Sequence, residues 1–147
     1  MRDFVTKWTN IKIALNLHAW GNLQIIPFNY DSSHNTQLKN DFPLAQHFYS
    51  HLEKHGNFPK GAKMGNGEMT VGYSANGEAS DWMLAERGIY ALSPEIGTKS
   101  RDSQHFFLED WKTIKDVAAK NHPWMLYATK QLQPWLHFNF TGIHENS

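Results

Sequence analysis

Three polar residues of this sequence have side chains and surroundings suited to chemistry. His18 follows an apolar segment, Glu95 lies within the mostly apolar stretch 92–97, and Tyr73 lies in the glycine-rich stretch 72–77. An imidazole can ligate a metal or carry a proton. A carboxylate among apolar groups is costly unless it is paired or functional, and burial raises its pKa toward the range of a general base. A tyrosine in a glycine-rich loop could close over a bound ligand.

Each of these residues also has an ordinary structural explanation. His18 could be a hydrogen-bonded histidine at a strand end, and Glu95 could be an exposed carboxylate in a turn. Tyr73 could be a loop aromatic that packs on the surface. Considered one at a time, the three residues leave both interpretations open.

Strand signals place His18 and Glu95 next to the ends of extended segments. Ile11–Leu17 is mostly apolar and predicts a buried strand, with its odd-numbered residues on one face. Leu23–Phe28 and Ile89–Ser93 predict two further strands. Strand ends are where α/β proteins place ligand-binding groups, so the positions of His18 and Glu95 favour a functional site.

Two helices are predicted between these strands. Pro43–His55 should form a helix capped by Asp41, with an apolar stripe of Leu44, Phe48 and Leu52. Ala79–Arg87 should form a shorter helix.

The shorter helix has candidate residues at both of its ends. Asn76 or Ser80 is expected to cap its start, and Gly88 is expected to end it.

The remaining segments are polar, glycine-rich or helical. Residues 30–40 and 57–76 predict loops or irregular structure, whereas 106–119 and 123–132 predict two C-terminal helices. The order of elements indicates an α/β fold, with a partial mixed β-sheet flanked by helices. A length of 147 residues favours a single domain spanning 1–147.

Composition excludes several kinds of chemistry and leaves the compartment open. The net charge is zero and 19% of residues are charged, so nothing indicates a nucleic-acid partner. The chain has no cysteine, which removes disulfides, thiolate catalysis and cysteine metal sites. No stretch approaches the ~20 apolar residues of a membrane span, and the N-terminus lacks a signal-like apolar run.

The order and spacing of the candidate residues are more specific than any one of them. Tyr73 opens a Tyr-x-Ala-x-Gly motif, Asp81 and Trp82 follow eight and nine residues later, and Glu95 lies 22 residues after Tyr73. This pattern resembles the C-terminal half of zinc carboxypeptidases of the carboxypeptidase A type. The resemblance is strongest over residues 12–97. The segment from His18 to Tyr30 matches, without a gap, the family's segment around its third zinc ligand.

The resemblance implies a role for each matching residue. His18 would be the last of three ligands to one Zn²⁺, and Glu95 would be the general base. Tyr73 would close over the bound C-terminal residue of a peptide or protein substrate. Asn29 and Ser80 fall where the family lines its specificity pocket. Both are uncharged, so neither a basic nor an acidic side-chain preference is indicated.

The same match predicts two backbone features. The family has cis peptide bonds beside these sites, so cis bonds are expected at Ala19–Trp20 and Pro27–Phe28.

The sequence departs from the family's pattern upstream of His18. The family's other two zinc ligands come from an upstream His-x-x-Glu motif, and no such motif occurs in this chain. Because only 17 residues precede His18, we expect an incomplete catalytic domain that lacks an N-terminal half. Such a chain should neither hold catalytic zinc tightly nor hydrolyse peptides.

Three hypotheses therefore remain open. The chain could be part of a metallocarboxypeptidase, a catalytically inactive domain that binds C-terminal peptides or a protein partner, or a module that completes a site with a separate polypeptide.

A separate group of histidines has metal-binding potential of its own. His47, His51 and His55 recur every four residues and share one helix face. Two histidines in this arrangement can bind a divalent metal, although a solvated helix face is the favoured interpretation.

Overall fold

The computed structural model describes residues 1–31, 36–97 and 111–141, and its strands form one mixed sheet. The strands are β1 (Ile13–Leu15), β2 (Leu23–Ile25), β3 (Lys63–Gly65) and β4 (Tyr90–Glu95). Their order is β1-β4-β2-β3. β4 is parallel to β1 and antiparallel to β2, and β2 is parallel to β3. The predicted α/β class with a mixed sheet is confirmed.

Helices precede, separate and follow these strands. They are α1 (Arg2–Lys7), α2 (Gln37–Asp41), α3 (Pro43–His55), α4 (Gly67–Thr70), α5 (Ala79–Arg87) and α6 (Trp111–Thr141). Among the described residues, no helix combines the length and the apolar character that a membrane span requires.

β4 lies at the centre of the packing and contributes to two apolar clusters. Leu92 belongs to a cluster with Phe48 and Leu52 of α3, whereas Ala91 belongs to a cluster with Met83 of α5. Successive strand residues point to opposite faces, so the two clusters lie on opposite sides of the sheet. By the same alternation, Glu95 points to the face of Ala91.

The bounds of α3 agree with the prediction, but its cap and part of its apolar stripe do not. The N-cap is Phe42 without a side-chain hydrogen bond, because Asp41 instead forms the last residue of α2. Leu44 is 52% exposed. The buried positions are Ala45, Phe48, Tyr49 and Leu52. Their i, i+3, i+4, i+7 spacing defines the core face, and Leu44 lies beside it.

α5 also has the predicted bounds and a different cap. Glu78, rather than Asn76 or Ser80, is the N-cap, and its side chain accepts a hydrogen bond from Ser80 N. Gly88 ends the helix as predicted, in the left-handed conformation with φ of 62°. Only glycine adopts this conformation without a steric penalty, so a glycine after the helical segment correctly predicted where α5 ends.

The predicted first strand is longer than the observed one. β1 spans three residues, and Leu17 lies beyond it and is 55% exposed. Ile13 and Leu15 pack against the cluster that contains Leu92, whereas Ile11 packs against the opposite cluster. The prediction that the odd-numbered residues of this segment share one face of the sheet is therefore wrong for Ile11 and Leu17. The chain leaves regular strand geometry on both sides of β1.

Three short elements lie in segments that the sequence predicted to be irregular. They are α2, β3 and α4. β3 is held by its parallel pairing with β2, an interaction between distant segments that local propensity does not encode.

The C-terminal region forms one helix where two were predicted. α6 continues through Pro123, although a proline inside a helix removes one backbone hydrogen bond. The buried side chain of Trp124 follows directly, and its Nε1 donates to Asn121 Oδ1 at 2.9 Å. This hydrogen bond links the residues on the two sides of the proline within α6. The predicted residues 106–110 lie outside the described part of the chain.

Candidate active site

His18 and Glu95 lie next to each other where β1 and β4 run on past their parallel pairing. The two residues form a parallel β-bridge. His18 N donates to Pro94 O at 2.9 Å, and Ile96 N donates to His18 O at 2.8 Å. The backbone of both segments thus fixes His18 and Glu95 as neighbours.

Glu95 carries a partly buried carboxylate. Its Oε2 atom is buried and makes no hydrogen bond with any described residue. Burial raises the pKa of Glu95 above its ordinary value of 4.5; the neighbouring His18 lowers this pKa and the Glu78 carboxylate raises it. A carboxylate with a raised pKa next to an imidazole has the character of a proton-transfer group.

His18 presents its side chain to solvent. It is an exposed residue, and its Nε2 lies 2.9 Å from Asn16 Nδ2. The imidazole is therefore oriented by a neighbour in the chain while it stays accessible from outside.

Asn29 and Ser80 are brought together by Asp81. Asn29 N and Asn29 Nδ2 donate to the two Asp81 carboxylate oxygens at 2.8 and 3.0 Å, and Tyr30 N donates to Oδ2 at 3.0 Å. Asn29 Nδ2 also lies 3.5 Å from Ser80 Oγ. Burial raises the pKa of Asp81 above its ordinary value of 3.8, and the hydrogen bonds from Asn29 and Tyr30 oppose that rise. The network links the segment after β2 to the start of α5.

Asn29 also connects this network to the loop that carries Tyr73. Asn29 Oδ1 accepts from Gly67 N at 2.6 Å, and Asn29 O accepts from Ala75 N at 2.7 Å. Asn29 is 2% exposed, so the structure gives it many protein contacts and little surface for a ligand. Its predicted contact with substrate stays a prediction.

Tyr73 itself is 61% exposed and lies on the surface of the loop. A Cβ added to Gly67 would meet Tyr73 O at 2.7 Å, so the backbone of the loop passes very close to α4. The loop backbone is held close to Gly67 of α4 and by the hydrogen bond of Ala75 N, while Tyr73 is exposed. The closure of Tyr73 over a substrate stays a prediction.

Glu78 is a site residue that the sequence prediction missed. Its Oε2 accepts hydrogen bonds from Ser80 Oγ and from Ser93 Oγ, both at 3.0 Å. Ser93 lies two residues before Glu95 on β4, so their side chains share one face of the sheet. The sequence contained one signal for Glu78, because an acidic residue directly precedes a predicted helix. This signal is weak, since glutamate is not among the favoured N-cap residues.

Both predicted cis peptide bonds are present. They join Ala19 to Trp20 and Pro27 to Phe28.

The described residues do not form a complete catalytic zinc site. No group of three or more histidine, cysteine, aspartate or glutamate side chains there could hold a metal ion. Catalytic zinc needs three protein ligands, and His18 provides one imidazole. The described residues by themselves therefore do not fit the metal.

The three histidines of α3 are close to one another. Ring centroids are 6.3 Å apart for His47 and His51 and 4.6 Å apart for His51 and His55. His51 Nε2 lies 2.8 Å from Tyr127 Oη, which joins α3 to α6. This contact gives His51 a structural role.

Two cavities of the described part lie away from His18 and Glu95. One of 190 Å³ is lined by Pro27 together with residues from α3 and α4. The other, of 300 Å³, is lined by Gln24 and the segment 57–63. Neither of these two cavities is lined by a predicted site residue.

The fold is α/β, and an imidazole and a carboxylate are neighbours where the chain continues past the pairing of β1 with β4. The family model described as zinc carboxypeptidase matches residues 1–123. The chain therefore belongs to the zinc carboxypeptidase family, as the resemblance indicated. No curated protein sequence matches it significantly.

Proposed function

We propose that this chain binds the free C-terminus of a peptide or protein in a metallocarboxypeptidase site, where Glu95 is the general base and His18 is one zinc ligand. The observation that carries the proposal is the pairing of His18 with Glu95 across adjacent strands. Family membership supports the same class of substrate, because zinc carboxypeptidases act on peptide C-termini.

Glu95 has the properties that a general base requires. Its Oε2 makes no hydrogen bond with a described residue, so the lone pairs of this atom remain available to accept a proton. Burial raises its pKa, which makes it a better proton acceptor at neutral pH than an exposed glutamate. The neighbouring His18 opposes this rise of the Glu95 pKa.

Zinc binding is a separate part of the proposal. His18 would hold the metal together with two ligands that the described residues do not supply. We therefore assign His18 as one ligand and derive no catalytic step through the metal.

A second function is favoured because, of the three zinc ligands that a catalytic site needs, the described residues supply only His18. With one ligand, a domain of this family would bind C-terminal peptides or a protein partner without hydrolysing them. Tyr73, Asn29 and Ser80 keep their proposed place around the bound C-terminal residue in either case.

Peptide binding and hydrolysis distinguish the two functions. A fluorescent peptide with a free C-terminal carboxylate should bind more tightly than the same peptide with a C-terminal amide. Release of the C-terminal amino acid in the presence of added zinc would support the enzyme, and Glu95→Gln should abolish that release while binding persists. Binding without release would support the inactive domain, and equal affinity for the acid and the amide would contradict both.

Metal analysis tests the zinc assignment independently of activity. The chain should hold less than one zinc per molecule after dialysis, and His18→Ala should lower the bound fraction further. Stoichiometric zinc that persists in His18→Ala would refute the assigned ligand.

A further inference from the structure

Gln24 of β2 carries a buried amide whose hydrogen bonds the described residues do not satisfy. The residue is 1% exposed, and neither its Nε2 nor its Oε1 has a hydrogen-bond partner in the described part of the chain. Buried polar groups nearly always have such partners, because an unsatisfied one destabilises the folded state. The amide of Gln24 therefore presents a donor and an acceptor, side by side, that a bound molecule could satisfy.

This amide lies on the face of the sheet that packs against α3. Gln24 pairs with Pro94 of β4, and directly opposed residues of an antiparallel pair share one face. Pro94 lies two residues after Leu92, so this face is the one covered by the cluster that contains Leu52 of α3. Glu95 points to the other face, so the surroundings of Gln24 are separate from the candidate active site.

Gln24 lines the cavity of 300 Å³, together with the end of α3 and the segment 57–63. Since Gln24 is almost unexposed, its amide lies at the floor of this cavity. The segment that forms the opposite wall is tied to the turn before β2. Asn22 Nδ2 donates to Lys60 O at 3.2 Å, and Lys63 N donates to Asn22 O at 3.3 Å. The volume is within the range of small-molecule sites, and these bonds hold its wall in place.

The rest of the lining is positively charged and includes an aromatic ring. Three exposed lysines line the cavity, against one glutamate, Glu53; the lysines are Lys54, Lys60 and Lys63. Phe58 also lines it, and the ring of Phe58 is supported by the buried Trp124, with ring centroids 5.3 Å apart. An excess of lysines attracts an anion, and an aromatic ring packs well against a planar molecule.

We propose that this cavity binds a small planar anion that carries a cyclic amide, in which an N–H group stands beside a carbonyl group. The ring N–H would donate to Gln24 Oε1, and the carbonyl would accept from Gln24 Nε2, so that both orphaned atoms gain a partner. The anionic group would lie toward the lysines, and the ring would pack near Phe58. This binding site is independent of the proposed function, because it lies on the opposite face of the sheet from Glu95.

Three planar probes test the two halves of this recognition by isothermal titration calorimetry. Orotate has a cyclic amide and a carboxylate, uracil has the same cyclic amide without the carboxylate, and benzoate has a carboxylate without the amide. Orotate should bind with a Kd below about 1 mM. Uracil should bind about fivefold more weakly, because it lacks the contact with the exposed lysines. Benzoate should bind about tenfold more weakly, because it leaves Gln24 unsatisfied.

Variants of the lining assign these differences to named residues. Gln24→Leu has a similar volume and no amide, so it should weaken orotate binding about tenfold and leave benzoate binding unchanged. The double variant Lys60→Gln/Lys63→Gln should weaken orotate binding about fivefold and leave uracil binding unchanged. Lys12→Gln is the control, since Lys12 is exposed and lies next to β1, at the opposite edge of the sheet from β3. It should keep the wild-type affinity for orotate.

Several outcomes would overturn the inference. They are a lack of orotate binding at about 1 mM, equal affinity for orotate and benzoate, and an orotate affinity that Gln24→Leu leaves unchanged. Equal affinity for orotate and uracil would overturn the assigned role of the lysines. Gln24→Leu should be at least as stable as the wild type toward urea, because it removes an unsatisfied buried amide. Should this variant not fold, the three probes with the wild-type chain and the exposed double lysine variant still decide the question.

Discussion

Asp81 holds together the segments that carry the candidate site, and Asp81→Ala tests that role. The carboxylate accepts hydrogen bonds from Asn29 N, Asn29 Nδ2 and Tyr30 N. Asp81 is 7% exposed and Asn29 is 2% exposed, so water cannot readily replace the lost acceptor. Alanine would leave buried donors without a partner and would release the start of α5 from the segment after β2.

The expected loss of stability follows from these bonds. A hydrogen bond to a charged group contributes about 1.5 kcal/mol or more, so three of them amount to about 4–5 kcal/mol. Two corrections lower this sum, because Tyr30 is only half-buried and because alanine removes a carboxylate whose burial is costly. We therefore expect Asp81→Ala to lower the free energy of unfolding by about 3 kcal/mol.

Urea denaturation of the chain measures this loss. Glu86→Ala, an exposed substitution on the same helix, is the control and should change the free energy of unfolding by less than about 0.5 kcal/mol. A loss below about 1 kcal/mol for Asp81→Ala would show that the network contributes little and would refute the reasoning.

The charge of Asp81 is tested separately by Asp81→Asn across pH. Burial raises the pKa of Asp81 above 3.8, so the folded chain binds this proton more tightly than the unfolded chain. Its contribution to stability is then complete below pH 3.8 and is lost as the pH rises through the folded-state pKa. Asp81→Asn cannot titrate, so the stability that it loses relative to the wild type should be larger in acid than at neutral pH. The opposite trend would show that the hydrogen bonds outweigh burial.

Two further substitutions test the core and the Tyr73 loop. Trp124→Ala should lower the free energy of unfolding by about 3–5 kcal/mol, because Trp124 is fully buried and its ring lies 5.3 Å from that of Phe58. Leu126→Ala, at a position that is 44% exposed on the same helix, should cost less than about 1 kcal/mol, and equal losses in the two variants would argue against this packing. Gly67→Ala should lower the free energy of unfolding by about 1–3 kcal/mol and weaken peptide binding, because the new Cβ would lie 2.7 Å from Tyr73 O. Unchanged denaturation and unchanged peptide affinity would contradict the close approach of the loop.

Much of the fold could be predicted because its signals are local. The bounds of α3 and α5 follow from apolar periodicity, a proline in the first turn of α3 and a glycine after α5. The three predicted strands overlap β1, β2 and β4. β3 was missed because three residues with little strand propensity are held by pairing with β2, which lies far away in the sequence.

The sequence by itself determined the family and the candidate chemical groups. The spacing of Tyr73, Asp81 and Glu95 is a property of the chain order, and it identified the zinc carboxypeptidase family that the family model confirms.

Only the tertiary structure decided how these groups meet. The pairing of β1 with β4 places His18 beside Glu95, and the contacts of Asp81 tie Asn29 to Ser80 across more than fifty positions of the chain. Packing of α5 against β4 brings the Glu78 carboxylate over Ser80 and Ser93. Such contacts depend on the distance between side chains in space, which local sequence patterns do not contain, so the charge of the site became visible only in the folded chain.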